Sequence, residues 1–316
     1  MSAPPVTLVH ACLRGGAGGS PTAVVLEEAH PNLSDEERRR VPVNARTSHA
    51  VYVRVHPGET REPTVDLRFF TAEGELPACG HGTVAALAYL AHSASRNGAP
   101  ESYQATLRTA RRVFEGWSEP RGGHFAAAFD PGPVDLREPT EPERALALKA
   151  LGVARDEPGV DEYGADGPGA DRPGADGPGQ DVRVAAMGRE RLLVPVPDRA
   201  ALTALNPDFD QLRAACDRFG LLGAYVYSPP SPSGSLAARM FAPSIGVPED
   251  IANANSSACL AAYLAAHGTT ELTIDMGDAL GSPATITTTA TPGPRGPRIQ
   301  LGGTARVEHM RNAPRA

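Results

Sequence analysis

The sequence predicts an α+β protein made of two pseudo-symmetric lobes. Two observations lead to this prediction: short β-rich runs separated by turns dominate the chain, and one strand–turn–helix segment occurs twice. The first copy is RFFTAEGELPACGHGTVAALAYLA, starting at Arg68, and the second is RMFAPSIGVPEDIANANSSACLAAYLA, starting at Arg239. With 316 residues, the chain is long enough for two lobes with ample cores.

The two copies can be aligned along their whole length. Each runs through an apolar strand, a Gly/Pro turn, a Glu, a small-residue turn and an Ala-rich helix that ends in Tyr-Leu-Ala. The alignment pairs Glu75 with Glu249, Cys79 with Asn253, His81 with Asn255, and Tyr89 with Tyr263. A chance match between Ala-rich helices is the alternative interpretation. We favour duplication because the strand and the turn agree as well.

The first half is predicted to be β-rich with one long helix. The run VTLVHACL predicts a first strand, and a Gly-Ser-Pro turn leads into a second strand, TAVVLEE. Ser34 and Glu37 have the spacing of a capping box, which predicts a short helix. The motif helix follows Cys79. Further strands are predicted at Ala50–His56, Val65–Thr71, Ala105–Phe114 and His124–Phe129.

The second half contains a five-residue repeat. Between Gly164 and Asp181 the chain reads GADGP, GADRP, GADGP and then GQD, which is too rich in Gly and Pro to build a core or a helix. A solvated, disordered insertion at a domain edge is predicted, and a regulatory or partner-binding role is the alternative. Beyond it, VRVAAMG and RLLVPVP predict strands, Pro207–Phe219 predicts an amphipathic helix, and ITTTATPGPRGPRIQLGGTARVEHM predicts two closing strands.

These elements define the expected lobes. The first lobe is predicted at residues 1–130, completed by a C-terminal strand near residues 298–310. The second lobe is predicted at residues 131–297, with the insertion at residues 163–181.

Composition excludes several classes of protein. The formal net charge of -7 and the lack of a Lys/Arg-rich patch argue against a nucleic-acid surface. The four cysteines lie far apart without metal-ligand spacing, so we expect reduced thiols and no metal. Neither a leader nor an apolar run long enough for a bilayer is recognisable. We therefore expect a cytoplasmic protein without membrane contact, and a homodimer stays open.

The turn around Cys79 carries the strongest chemical signal. In LPACGHGTVAALAYLA, Cys79 and His81 stand one residue apart, directly before an apolar segment with helical spacing. A helix start leaves its first N–H groups unpaired and has the positive end of the helix dipole, which favours a bound carboxylate. The same position favours thiolate over thiol at Cys79.

The chain resembles the phenazine-biosynthesis isomerase (PhzF-like) family, which shares the diaminopimelate epimerase fold. The resemblance covers almost the whole chain. It rests on GGSPTAVV, LSDEE followed by TSHAVYV, ELPACGHGT, LVPVP followed by LNPDF, AYVYSPP, and RMFAPSIGVPED followed by a small-residue turn and a helix. It implies two lobes, each a β-barrel-like sheet around a central helix, with the active site between them. It further implies proton transfer on small carboxylate or amino-acid-like substrates without a cofactor or a metal.

The chain departs from the family pattern at three positions. His49 stands where the phenazine enzymes have a catalytic Glu, and histidine can still transfer protons near neutral pH. Cys79 stands where those enzymes have a small residue, whereas the epimerase and proline racemase branches use a Cys there as a base. The second racemase Cys is replaced by Asn253. The family Asp matches Asp250, and the usual Thr-Gly-Ser has become Asn253-Ala254-Asn255.

Each candidate also has a structural interpretation. Cys79 could be a small buried residue, His81 could cap the helix, and His49 could be an ordinary strand residue. Asp250 could stabilise the helix dipole as an acid in the first turn. Cys259, Tyr89 and Tyr263 are expected in the core.

The predicted function is that of a cofactor-independent isomerase that relocates a proton and a double bond on a small cyclic carboxylate, in specialised-metabolite biosynthesis. A Cys79-dependent epimerase or dehydratase is one alternative, and a non-catalytic member that binds a metabolite or a partner is another. The catalytic candidates are His49, Cys79, His81 and Asp250. The substrate-binding candidates are Gly80, Gly82, Thr83, Ser20, Asn253, Asn255, Ser256 and Ser257, with the turn amides at His81–Thr83 and Asn255–Ser257 holding the carboxylate.

Overall fold

The computed structural model describes residues 4–29, 32–56, 62–96, 102–153, 181–294 and 296–308. Apart from Asp181, the predicted insertion at 163–181 lies outside the described residues. No helix in these ranges is long and apolar enough to cross a membrane.

Strands dominate the described chain, and the helices are few. The strands are β1 Thr7–Ala11, β2 Ser20–Leu26, β3 His49–His56, β4 Thr64–Phe70, β5 Glu75–Leu76, β6 Tyr103–Arg108, β7 Val113–Arg121, β8 His124–Phe129, β9 Asp135–Arg137, β10 Arg183–Met187, β11 Arg189–Pro195, β12 Ala224–Tyr227, β13 Ser235–Ala242, β14 Val247–Asp250, β15 Glu271–Met276, β16 Ala284–Thr291 and β17 Arg298–Val307. The α-helices are α1 Asp35–Ala45, α2 Gly80–Arg96, α3 Glu141–Leu151, α4 Arg199–Ala204, α5 Phe209–Phe219 and α6 Ala254–Ala265.

Lobe 1 is a closed barrel around α2. Among the described residues, the barrel runs β1, β2, β3, β4, β6, β7, β8 and β17, and β17 pairs back with β1. Every residue of α2 from Gly80 to Ala88 is buried, because the barrel surrounds the helix. Small side chains let the helix fit inside: Ala85, Ala86 and Ala88 have no exposed surface.

Lobe 2 repeats this pattern around α6. The series β10, β11, β12, β13, β15, β16, β17 has the same sequence of parallel and antiparallel pairs as the series β1, β2, β3, β4, β6, β7, β8. A short hairpin strand stands in the same place in each lobe, β5 beside β4 and β14 beside β13. The α+β fold with two pseudo-symmetric lobes is therefore confirmed.

Matching ion pairs fix the equivalence of the two turns. Arg68 on β4 forms a bidentate pair with Glu75, with N–O distances of 2.8 and 2.6 Å. Arg239 on β13 forms the same pair with Glu249, at 2.9 and 2.8 Å. The aligned glutamates thus brace the hairpins that lead into α2 and α6.

Most sequence-predicted elements are present, with local corrections. Helix α1 begins after Ser34 with the predicted capping box to Glu37. The single ribbon expected at Ala105–Phe114 is wrong: the chain turns back after Arg108, and β6 and β7 form a hairpin. Helix α3 was not predicted, although Thr140 and Glu143 provide a capping box there. Cys259 and Tyr263 are buried in the core, as expected, and Tyr89 is partly buried against it.

Candidate active site

The amino ends of α2 and α6 meet where the lobes touch. A Cβ atom built on Gly80, the first residue of α2, would lie 2.5 Å from the Cβ of Ala254, the first residue of α6. Real Cβ atoms do not approach so closely, so glycine is required at position 80. The contact brings the residues before each helix, Cys79 and Asn253, to the junction between the lobes.

Cys79 and His81 form a buried pair at the start of α2. The Cys79 Sγ lies 3.4 Å from the Nε2 of His81. The other ring nitrogen, Nδ1, lies 2.8 Å from the carbonyl oxygen of Ala252. Because a carbonyl only accepts, Nδ1 carries a proton and donates it across the lobe junction. Nε2 therefore faces the sulfur and can hold or release the proton of the pair.

The charge of His81 follows from these neighbours. Burial opposes the charged ring, but the Cys79 thiolate, Asp250 and the Ala252 carbonyl outweigh burial and raise the pKa of His81 to about 9. His81 is therefore an imidazolium near pH 7, and its Nε2 faces the Cys79 sulfur.

His49 brings a second imidazole to the same place. It is the first residue of β3, is buried, and its ring meets the His81 ring edge-on with centroids 4.4 Å apart. Burial and the positive charge of His81 lower the pKa of His49 to about 3, against the opposing effect of Asp250. His49 is consequently neutral near pH 7. Its Nδ1 lies 2.8 Å from the Ser48 hydroxyl.

Lobe 2 provides a carboxylate in place of a second thiol. Asp250 is buried at the end of β14, where one oxygen accepts from the Ala252 N–H at 3.3 Å and the other from the Asn253 side-chain amide at 3.0 Å. The Asn253 side-chain oxygen Oδ1 in turn accepts from the Ser256 N–H at 2.9 Å and caps α6. Asn253 is thus occupied as a helix cap and as a partner of Asp250.

These groups line one cavity of about 290 Å³ between the lobes. Its wall includes all four predicted catalytic residues, together with Gly80, Asn253 and Asn255. Other lining residues are Thr71, Glu73, Glu75, Met187, Arg189, Arg191, Leu222 and Ile245. The volume suits a ligand smaller than a typical drug molecule.

The two helix starts differ in their free N–H groups. At α2, the N–H groups of Gly80, His81 and Gly82 have no acceptor among the described residues. At α6, the N–H groups of Ser256 and Ser257 are bonded to Asn253. The N–H groups of Ala254 and Asn255 at α6 also have no acceptor in the described part of the chain, so a carboxylate finds free donors from both helix starts, with one more at α2.

Several predicted binding residues do not line this cavity. Ser20 is fully buried on β2, with its hydroxyl unpartnered among the described residues, and Gly82 packs between Cys79 and Phe69. Thr83 lines a neighbouring cavity, and its hydroxyl and N–H both donate to the Cys79 carbonyl. Ser256 and Ser257 are buried on α6, and their amides are taken. We assign these five residues no contact with a ligand.

Arg191 is a charged lining residue that sequence reasoning missed. It stands near the start of the apolar strand RLLVPVP, where a charged residue normally indicates the solvent-exposed end of a strand. In the structure, its side chain is instead 98 % buried, with 2 % of its surface exposed.

The same cluster has the composition of a metal site. The ligand atoms of His49, Cys79 and His81 lie within 4.8 Å of one another. Two imidazoles and a thiolate are ligands that Zn²⁺ accepts, and the Ala252 carbonyl already orients His81 as a metal-bound histidine is usually oriented. The expectation of a metal-free, cofactor-free site stays a prediction.

Comparison with known proteins shows similarity along nearly the whole chain. A family model described as "Phenazine biosynthesis-like protein" matches residues 14–311. The uncharacterized isomerase YddE of Escherichia coli K12 is 27% identical over 206 residues, covering 64% of this chain and 61% of that protein. An uncharacterized isomerase of Deinococcus radiodurans is 27% identical over 302 residues, covering 92% of this chain and 88% of that protein.

Solved structures share the fold. A Bacillus anthracis phenazine biosynthesis protein of the PhzF family superposes with a TM-score of 0.74 at 17% identity, covering 98% of both chains. A probable proline racemase from Agrobacterium radiobacter superposes with a TM-score of 0.59 at 12% identity, covering 96% of this chain and 90% of that one.

Proposed function

The chain belongs to the phenazine biosynthesis-like family, and from that membership we propose that it is an isomerase that relocates a proton and a double bond on a small carboxylate. A protein that is similar to this chain over most of its length is named an isomerase, and this supports the proposed reaction class. The substrate is a small cyclic or amino-acid-like carboxylate, the reaction needs no cofactor, and the pathway is one of specialised metabolism.

One observation carries the proposal. A neutral imidazole, His49, faces one cavity together with the Cys79 sulfur and the His81 imidazolium, beside free helix N–H groups. The cavity therefore holds two proton acceptors and one proton donor in contact, together with a place for a carboxylate.

The carboxylate site lowers the barrier to removal of a C–H proton. With the substrate carboxylate on the N–H groups of Gly80 and His81, the negative charge that develops on its oxygens as the proton leaves is stabilised. Without that stabilisation, the carbanion is too basic for a thiolate or an imidazole to generate. Gly80 lets the backbone approach the ligand closely.

The proton moves between two carbons of the substrate. Either the Cys79 thiolate or neutral His49 takes the proton from one carbon, and the C–H electron pair becomes part of a delocalised enolate. The double bond shifts as the enolate collapses, and a second carbon receives a proton from the group that took it or from its neighbour. His81 supplies or receives the proton that keeps Cys79 and His49 in their starting states.

Both transfers take place on the side of lobe 1. Cys79, His81 and His49 all belong to lobe 1, whereas the equivalent of Cys79 in lobe 2 is Asn253, which has no proton to exchange at ordinary pH. Asp250 is the acidic residue that lobe 2 contributes to the cavity among the described residues. Both oxygens of Asp250 accept hydrogen bonds, from Ala252 and Asn253, and these bonds hold the carboxylate in a fixed position from which it can orient the substrate.

The proposal is tested by deuterium incorporation. Unsaturated cyclic carboxylates, proline and 4-hydroxyproline are incubated with the protein in D₂O and followed by NMR. We expect isomerised product with deuterium on the face from which the proton departed. Cys79→Ala and His49→Gln variants should each lower the rate by on the order of 100-fold or more, whereas Cys216→Ala, buried beside α3 in lobe 2, should not.

Other outcomes decide against the proposal. Interconversion of two enantiomers with deuterium at the inverted centre shows a two-base epimerase in which Asp250 acts as the second base. No exchange with any compound, together with tight binding of some, shows a non-catalytic member of the family.

A further inference from the structure

Arg191 is a buried cation in the wall of the candidate active site. Only 2 % of its surface is exposed, yet it lines the same cavity as His49, Cys79 and Asp250. Burial of a guanidinium is costly unless an anion or a full set of acceptors replaces water.

The described residues do not provide those acceptors. One terminal nitrogen of Arg191 donates to the Arg189 carbonyl at 2.7 Å, and the other reaches the Ser256 hydroxyl at 3.5 Å, the limit of a hydrogen bond. The Nε atom is buried without a partner. No carboxylate of the described chain lies within ion-pair distance of this guanidinium, although Arg14, Arg38, Arg68, Arg137 and Arg239 all have such partners.

The surroundings increase the positive charge. Ser256 belongs to the first turn of α6, so the guanidinium stands beside the positive end of a helix dipole. A cation at that end is unfavourable by itself. An anion that binds here would be attracted by the helix and by Arg191 together.

Pseudo-symmetry places Arg191 beside the position in lobe 2 that corresponds to His49. In lobe 1, Thr22 on β2 pairs with His49 on β3. In lobe 2, the equivalent strands β11 and β12 pair Leu192 with Ala224. The residues one position earlier, Arg191 and Gly223, therefore stand side by side in the same register as Thr22 and His49. A Cβ on Gly223 would lie 2.0 Å from the Phe241 carbonyl oxygen, so lobe 2 has no equivalent of His49. Lobe 1 thus presents the His49 imidazole to the cavity from β3, whereas lobe 2 presents the Arg191 guanidinium from β11, the strand beside the position that corresponds to His49.

We propose that Arg191 binds a second anionic group of the substrate, remote from the carbon that exchanges its proton. The inference rests on the proposed function and deepens it. The carboxylate next to the reacting carbon occupies the start of α2, and the second group, a carboxylate, forms a bidentate pair with Arg191. The substrate class is therefore a small dicarboxylate rather than a monocarboxylate.

Binding of saturated probes tests this assignment separately from turnover. Malonate, succinate, glutarate and adipate are compared by calorimetry with propionate, butyrate, valerate and hexanoate. The best dicarboxylate should bind more tightly than the monocarboxylate of equal chain length by on the order of 10-fold or more, since hydrogen bonds to charged groups contribute this much.

Two substitutions locate the preference. Arg191→Met should abolish it and leave the melting temperature of the unliganded protein unchanged or higher, because an unpaired buried charge is removed. Arg189→Met is the matched control: Arg189 lines the same cavity but is exposed, and it should keep the preference. If Arg191→Met fails to fold, Arg191→Lys is tested instead. It should lose the preference for dicarboxylates, since it keeps the charge and loses the bidentate geometry.

The outcomes separate this inference from the proposed function. Equal binding of mono- and dicarboxylates to the wild type, or an unchanged preference in Arg191→Met or in a folded Arg191→Lys, overturns the assignment even if proton exchange occurs. A preference that Arg191→Met removes supports the assignment even if no exchange is found.

Discussion

At the scale of single residues, the four cysteines show how environment decides reactivity. Burial, with the negative charges of Asp250 and Cys79, raises the pKa of Cys12 to about 12. Burial with Asp217 nearby raises the pKa of Cys216 to about 11, and burial also raises the pKa of Cys259. Cys79 differs because it lines the cavity and contacts an imidazolium. The sequence motif and the structure therefore select the same thiol.

Alkylation should reveal this difference. With iodoacetamide at pH 7 and peptide mass spectrometry, we expect Cys79 to be modified at least about 10-fold faster than the other three cysteines. His81→Ala should slow Cys79 modification by roughly 10-fold, because the thiolate loses its counterion. His267→Ala, on the exposed end of lobe 2, is the control and should have no effect. Equal labelling of all four thiols would assign Cys79 to the core.

At the scale of secondary-structure elements, the duplicated hairpins differ in burial. The Arg239–Glu249 pair is mostly buried, with 13% and 8% of the side chains exposed, whereas the Arg68–Glu75 pair is exposed by 32% and 36%. Arg68 also contacts Asp35, whereas Arg239 also donates to the Leu202 and Leu205 carbonyls. The same ion pair therefore has a different energetic role in each lobe.

Substitution of the two glutamates should expose this difference. Glu249→Gln leaves a buried guanidinium without a counterion, and we expect a loss of about 3 kcal/mol in the free energy of unfolding. Glu75→Gln should cost less than about 1 kcal/mol, because water and Asp35 compensate. Chemical denaturation of both variants measures these values. Equal losses would show that burial does not decide the contribution of the pair.

At the scale of the whole molecule, the two lobes form one site because their helices touch. The contact between Gly80 and Ala254 determines how close Cys79 and Asn253 come. The bond from His81 to the Ala252 carbonyl crosses the same junction. Strand β17 joins the lobes a second time, since it pairs with β16 in lobe 2 and with β8 and β1 in lobe 1.

A methyl group at position 80 should therefore damage both stability and function. Gly80→Ala should destabilise the protein by about 1–3 kcal/mol, because the helix ends must move apart. Proton exchange should fall with it, since the His81–Ala252 bond lengthens. Ala254→Gly in the same chain should restore part of both losses. Gly74→Ala, where a Cβ meets nothing within 4 Å, is the control. Wild-type stability in Gly80→Ala would show that the junction is loose.

Much of the fold could be predicted from the sequence, because its signals are local. Strand alternation, the Ser34 capping box and the repeated strand–turn–helix pattern each depend on residues close together in the chain. The duplication then placed Cys79 and Asn253 in corresponding turns. Helix α3 was missed although Thr140 and Glu143 provide its capping box, and the β6–β7 hairpin was missed because its turn at residues 109–112 contains neither Gly nor Pro.

The sequence by itself determined the α+β class, the duplicated lobes and the turn that contains Cys79 and His81. Only the tertiary structure decided what these residues face. His81 bonds to a carbonyl 171 residues away, His49 reaches the His81 ring from another strand, and Arg191 turns inward instead of outward. Ser20, Ser256 and Ser257 are instead buried inside the lobes to which they belong. The physical reason is that such contacts depend on how the two lobes pack against each other, and no local pattern of residues encodes that arrangement.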